Sequence, residues 1–219
     1  MVRNAGNTDR RQRVVDEIRR WIISGAIAPG ERLVEAQVTA RLEVSRPTAR
    51  EALNQLAWSG YLVQEAYRGH RVGSVDPQRV MDFAWVRYGL DVNAAKDILD
   101  DSSGLRLVRL EQALERYRRD MVSEDPVSVH EAHVRFHKGF WQSSENSFLL
   151  KLWPAVEAEM ALVLAYEQRH RHDNARAVLL HERLVDTVRG GDPEAIRVEI
   201  EKHIVGSARE LVGMMVDEA

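Results

Sequence analysis

With 219 residues, 44% hydrophobic and 30% charged, the chain is sized for two modest domains and has the composition of an ordinary soluble globular protein. It has no cysteine, which excludes disulfides, thiolate metal sites and cysteine nucleophiles; no apolar run approaches a membrane span, and the polar stretch Met1 to Arg13 lacks a signal core, so a cytoplasmic protein with no membrane partner is expected. The net charge of −3 divides unevenly: residues 1–75 hold 12 Arg and no Lys against 8 acidic residues (+4), and the remainder holds 19 basic against 26 acidic residues (−7), so only the front end suits polyanions.

In chain order, residues 1–8 read as a disordered start. Val14, Ile18, Trp21 and Ile22 recur at helical spacing and predict a helix from Asp9 to Ser24, closed by Ser24-Gly25 and followed by the turn Ala28-Pro29-Gly30. A short second helix is expected around Glu35 to Arg41, with Val38 and Leu42 inward. After the tight connection Glu43-Val44 comes a third helix, ending near Gly60. Ser45 serves as its N-cap, Pro47 suits its first turn, and Ala49, Ala52, Leu53 and Leu56 form an inward stripe. The opposite face carries Arg46 and Arg50, four residues apart, with Thr48 and Asn54 nearby. Tyr61-Leu62-Val63 and Arg71-Val72 read as the strands of a hairpin around Ala66 to His70, with Gly69 at its tip. Three helices and a hairpin in this order predict a winged helix-turn-helix over residues 1–75. Its third helix would enter a DNA major groove, because a helix N-terminus attracts phosphate and an Arg fork grips guanine. Taken alone, Ser45 to Leu53 would equally describe a solvated amphipathic helix; the flanking elements decide.

The run Ile23-Ser24-Gly25-Ala26-Ile27-Ala28-Pro29-Gly30-Glu31-Arg32-Leu33, then Val44-Ser45-Arg46, Arg50-Glu51-Ala52-Leu53, Leu56, Gly60 and Gly69, resembles the N-terminal domain of GntR-family bacterial transcription regulators over roughly residues 10–75. The resemblance implies that Ser45, Arg46, Thr48 and Arg50 meet DNA and that the wing tip Gly69-His70 enters the minor groove. The chain departs from the family pattern with Pro47-Thr48 in place of Thr-Pro, with Glu43 where glycine is usual, and with Ala36 where many members have an arginine. If the turn at Glu43 requires a positive φ, the side chain costs on the order of 1 kcal/mol.

Asp76-Pro77 marks the domain boundary. Residues 76–219 then read as helix: Arg79 to Asp100, Leu105 to Val122, Val127 to Ser143, Ser147 to Arg169, Ala175 to Arg189 and Pro193 to Val216. The fold class expected is therefore mainly α, an N-terminal winged helix-turn-helix followed by a C-terminal all-α bundle of about six helices. Trp85, Trp141 and Trp153 are read as core.

Seven of the eight histidines lie in the bundle. His133 and His137 project from one helix face, His181 and His203 sit on two later helices, and a bundle can aim such groups at one point. Packed or surface histidines would leave the same pattern. His133-Val134-Arg135-Phe136-His137, Asn146, His181 ahead of Asp186 and Gly191-Asp192, and His203 resemble the FCD ligand-binding domain of the FadR branch of GntR regulators. There an Asp and three His commonly hold a divalent metal. The resemblance assigns His137, His181 and His203 to the three imidazoles and puts His133 in the place of the Asp. An all-imidazole set brings no negative charge, so a bound cation, zinc or nickel by preference, would keep its full 2+ and attract an anionic effector. Below roughly pH 6, protonation would compete with it. Arg87, Arg135 and Tyr166 are candidates to line the effector pocket, although surface ion pairs would account for each. His170-Arg171-His172 reads as a solvated connection, and His130 as off the metal-facing stripe.

Together these features point to a ligand-responsive regulator that binds a two-fold operator in double-stranded DNA as a homodimer, modulated by a small organic acid held at the metal. A metal-sensing regulator, with the cation as effector, would use the same residues. A metal-dependent hydrolase, with Glu182 or Glu199 as general base, would leave the winged front end without a purpose, so no enzymatic activity is expected.

Overall fold

The computed structural model describes residues 3–65, 68–171 and 173–217, and divides into a compact unit ending at Ser74 and a second beginning at Val75. The chain is mainly α-helical, with a small sheet confined to the first unit.

The first unit runs α1 (Arg3–Ile23), β1 (Arg32–Leu33), α2 (Glu35–Leu42), α3 (Arg46–Trp58), β2 (Leu62–Glu65) and β3 (Gly69–Val72). The backbone from Arg3 is helical, which corrects the expected disordered start; residues 1–2 lie outside the described residues, as do Ala66 and Tyr67 of the hairpin loop. Val15, Ile18, Val38, Ala49, Leu53 and Leu56 are buried together, so the inward stripes of α1, α2 and α3 form one core. Glu43 ends α2 at φ 51, in the left-handed region, a conformation that α2–α3 packing sustains at a cost of about 1–2 kcal/mol. The sheet has a strand that sequence periodicity did not reveal. β1 is two residues long, too short for alternation to register, and pairs Leu33 with His70. The antiparallel order β1-β3-β2 makes β3 the central strand.

The second unit consists of α4 (Pro77–Leu99), α5 (Leu105–Asp120), α6 (Pro126–Ser143), α7 (Ser147–His170), α8 (Asn174–Gly190), α9 (Pro193–Glu201), a π-helical turn (Lys202–Gly206) and α10 (Ser207–Asp217). The last three segments are continuous, so six helical rods form the bundle. Asp76, Asp125, Asn146, Asp173 and Asp192 each accept backbone N–H groups at a helix start, and Pro77, Pro126 and Pro193 occupy first turns. These side chains satisfy donors that the helix leaves unpaired, which is why the sequence breaks and the helix ends coincide. Gly139 lets α6 approach α5 closely: a Cβ there would lie 2.8 Å from the Ala113 Cβ. Tyr117 and Phe136 meet across that contact with ring centroids 5.3 Å apart, and Leu110, Leu114, Phe140 and Trp141 on the same two helices are also buried. Trp153 is also buried, but Trp85 is 45% exposed, which corrects its assignment to the core: it sits on the outer side of α4 beside the exposed Val86. Among the described residues, no helix is long and apolar enough to cross a membrane.

Candidate functional site

In the first unit, α3 presents its N-terminal end as the sequence predicts. Ser45 caps it, its Oγ accepting from Thr48 N at 3.3 Å. Arg46 and Arg50 are exposed. Arg50 donates through Nε to Glu35 Oε1 at 2.6 Å and through its terminal amine to Oε2 at 3.1 Å, a fork that ties α3 to α2. Two expected DNA-facing side chains are placed otherwise. Thr48 is only 5% exposed, with its hydroxyl 2.8 Å from Ser45 Oγ, so it completes the cap. His70 is 6% exposed on the central strand, and its Nε2 is buried without a partner among the described residues. Its alternation position on β3 turns it inward, so it does not form the tip of the wing. Gly69 opens β3 at φ 88, opposite Glu65, where its missing Cβ suits close passage over Val34.

In the second unit, helices α4, α6, α7, α8 and the π turn enclose a cavity of about 120 Å³. His133, His137, His181 and His203 all line it, together with Arg87. Ligand atoms of His133, His137 and His181 lie within 4.8 Å of one another, and the His203 ring lies 4.7 Å from that of His181 and 5.6 Å from that of His137. The hydrogen bonds fix a proton order. The Arg87 guanidinium can only donate, so His137 Nδ1, 2.8 Å away, accepts. His137 Nε2 then carries the proton and donates to His181 Nε2 at 3.1 Å, while His181 Nδ1 donates to the Ala177 carbonyl at 2.6 Å. His181 therefore holds an Nε2 lone pair toward the cluster in a tautomer set by the backbone, the arrangement that prepares an imidazole for a metal. His203 Nδ1 is buried with no partner.

Burial dominates the electrostatics. It pushes His181 down to about 3 and His130 down to about 4, and holds His133, His137 and His203 well below the usual imidazole range. The imidazoles of His133, His137 and His181, with His203 beside them, could hold a divalent metal; His137 would ligate through Nε2 only with its proton moved to Nδ1 and Arg87 turned away. Competition by protons therefore starts at lower pH than a free imidazole would give. Because the depressed pKa belongs to the folded state, the unfolded chain binds more protons below pH 6.5. Stability present above pH 6.5 is then lost as pH falls toward about 4, at up to about 1.4 kcal/mol per pH unit for each such imidazole. Thermal melts of the metal-free chain at pH 7, 6 and 5 are expected to fall progressively; a flat series would contradict the buried, neutral assignment.

Arg87 is itself buried, lying 3.5 Å from Asp91, whose other oxygen accepts from Trp141 Nε1 at 2.6 Å. Burial pushes the Asp91 carboxyl up, against the pull of Arg87. Asp91 was missed from sequence, although its place one turn after Arg87 marks it as a partner. Glu167 and Arg171 also line the cavity and pair at 3.3 Å; Arg171 further meets Glu210 at 3.0 Å, so it is not merely solvated. His172 lies outside the described residues. His130 lines the cavity too, buried at 3%, with neither ring nitrogen paired among the described residues. One turn before His133 and two before His137, it shares their face after all, and the i, i+3, i+7 spacing could have shown it. An unpaired buried polar group costs about 1–3 kcal/mol, a deficit that a ligand can remove. Arg135 and Tyr166 are not at the cavity. Arg135 is exposed and pairs with Asp120 at 2.6 Å, and Tyr166 stacks on His170 at 4.1 Å. Glu182 and Glu199, the two carboxylates considered as bases, accept from Arg118 and Arg183 at 2.6 and 2.7 Å.

A three-helix head with a small wing, and an all-helical body with a histidine-lined cavity, are the parts of a DNA-binding transcription regulator. The chain belongs to the GntR family: residues 10–72 match the model for bacterial regulatory proteins of the gntR family, and residues 82–206 match the FCD domain. It is 27% identical over 208 residues to an HTH-type transcriptional regulator in an unstable DNA locus of Streptomyces ambofaciens, covering 93% of this chain and 85% of that one. It is 24% identical over 185 residues to the gluconate operon transcriptional repressor of Bacillus subtilis, covering 82% of this chain and 76% of the relative. The fold is similar to that of a GntR transcriptional regulator from Rhodococcus sp. RHA1, with a TM-score of 0.76, 24% identity, and coverage of 94% of this chain and 98% of the other.

Proposed function

We propose that the chain binds a two-fold operator as a homodimer and that a small organic acid, seated beside a divalent metal in the bundle, modulates that binding. The observation that carries this reading is the cavity itself. Its 120 Å³ far exceeds the roughly 10–15 Å³ that a single water needs, and it combines an imidazole cluster with the Arg87 guanidinium. A cation alone would not use that space or that charge. In the bundle, His133, His137, His181 and His203 would hold the metal, zinc or nickel by ligand type, and the metal would supply a Lewis-acidic position for a carboxylate. Arg87 would grip the same anion once it turns from His137.

In the head, Ser45, Arg46 and Arg50 would face DNA, with the backbone around Gly69 as the wing's approach. Arg50→Ala is expected to weaken operator binding by about 1–3 kcal/mol and to relax sequence preference, whereas Arg46→Ala should lower affinity for all sequences and reduce the salt slope by about one. Fluorescence anisotropy on operator and random duplexes at several salt concentrations checks both; an unaltered Arg50→Ala variant removes that residue from the reader.

The overall reading is tested by titrating operator affinity with chelator, with zinc or nickel, and with metal plus organic acids. Dependence on acid in the metal-loaded chain supports it. A switch produced by metal alone would establish metal sensing in its place. Sedimentation of the chain alone and on operator DNA checks the dimer.

A further inference from the structure

We propose that His130 forms a hydroxyl-recognising subsite of the bundle cavity, so that the effector is a hydroxylated organic acid and not its deoxy counterpart. The proposal rests on the cavity being the effector site.

His130 lines that cavity at 3% exposure, and neither of its ring nitrogens meets a partner among the described residues. The same lining includes the apolar Met121, Val129 and Leu164. The three imidazoles whose ligand atoms gather within 4.8 Å are those of His133, His137 and His181, and His130 is not among them. A buried polar side chain in a cavity lining, without a partner among the described residues, is satisfied by what enters the cavity.

The chemistry of the ring selects the group. Burial keeps His130 uncharged at neutral pH, with its pKa pushed down to about 4. A neutral imidazole offers one N–H donor and one bare acceptor nitrogen. A carboxylate only accepts and an ammonium only donates, so each would suit one nitrogen. A hydroxyl both donates and accepts, and can serve whichever nitrogen is turned to it. The carboxylate of the effector already has its own station, since Arg87 and the imidazole cluster hold the positive charge of the cavity. Glu167 in the same lining disfavours a second anionic group and accepts from hydroxyls. One anionic end and at least one hydroxyl describe the class.

The full-length chain, with and without zinc, is titrated calorimetrically with paired acids: D-gluconate against hexanoate, and L-lactate against propionate. For at least one pair the hydroxylated member is expected to bind about tenfold tighter. His130→Phe, which fills the same space without polar atoms, should erase that preference, leaving the deoxy acid within about twofold of the parent chain. His130→Gln, which keeps a donor and an acceptor, should restore part of it. Zinc stoichiometry should be unchanged in both variants. The melting temperature of unliganded His130→Phe should be no lower than that of the parent, because an unsatisfied group has been removed. No preference within any pair, or a preference that survives His130→Phe, overturns the proposal, and loss of zinc with His130→Phe would make the residue a metal ligand and overturn it as well. If no acid of either kind binds the parent chain, the effector reading itself fails, a result distinct from acids that bind without preference.

Discussion

Replacing His181 with alanine is expected to lower zinc or nickel affinity by more than about a hundredfold, because even partners behind a metal ligand contribute about 10–100-fold. His181 is fully buried, its Nδ1 is fixed to the Ala177 carbonyl, and its Nε2 faces His137 and lies among the three gathered ligand atoms. Within the cluster, only His181 has its ring held by a backbone carbonyl on its own helix, and among the described residues no other side chain of α8 offers an imidazole in its place. A chain that binds metal gains stability by mass action, about 2.7 kcal/mol when the metal is at a hundred times its dissociation constant. The variant should lose that gain, while operator binding in the absence of effector stays close to that of the parent. Elemental analysis of the purified, untagged protein and melting curves with and without added metal measure it. Equal metal content in the two proteins would move the site away from His181.

The second large effect is expected at Trp141. This side chain is 1% exposed, packs against Trp153 with ring centroids 5.4 Å apart, and donates to Asp91 at 2.6 Å. Trp141→Ala should destabilise the bundle by about 3–5 kcal/mol through the cavity alone. Trp141→Phe separates the two contributions: it retains most of the apolar contact but leaves the buried Asp91 oxygen without its donor, for about 1–3 kcal/mol. Because Asp91 in turn steadies Arg87, the phenylalanine variant should also weaken acid binding. Urea unfolding followed by far-ultraviolet circular dichroism gives the stabilities. If Trp141→Phe proves as stable as the parent, the Asp91 hydrogen bond contributes nothing and the Arg87 support is of another kind.

Much of this architecture was legible in the residues because the signals are local. Asx residues followed by proline mark helix starts through backbone donors within the same turn, and the helical period reports the buried stripe directly. The reader helix and the Glu43 turn were visible for the same reason. What was hidden depends on which way a side chain turns within a tertiary setting. Periodicity could place His70 on a strand but not tell that the strand is central, since the two-residue partner β1 leaves no pattern. Arg135 and His133 are two residues apart on α6, and that alone sends one to solvent and the other to the cavity. Glu167 lines the cavity, and Asp91 stands behind Arg87 there, because α4 and α7 meet α6, a fact of packing that their own segments do not contain.

The π turn at Lys202–Gly206 sets a limit on how this protein can be altered. An extra residue in one turn rotates everything after it by about 100° relative to an uninterrupted helix. His203 stands on that turn, and Ile204, Ser207, Ala208 and Leu211 after it face the same cavity. Redesigning the segment for ideal helicity at the same length would therefore do more than move one imidazole: it would swing the wall that follows aside and present a different set of side chains to whatever lies within, whereas deleting one residue of the turn other than His203 would leave that wall in place.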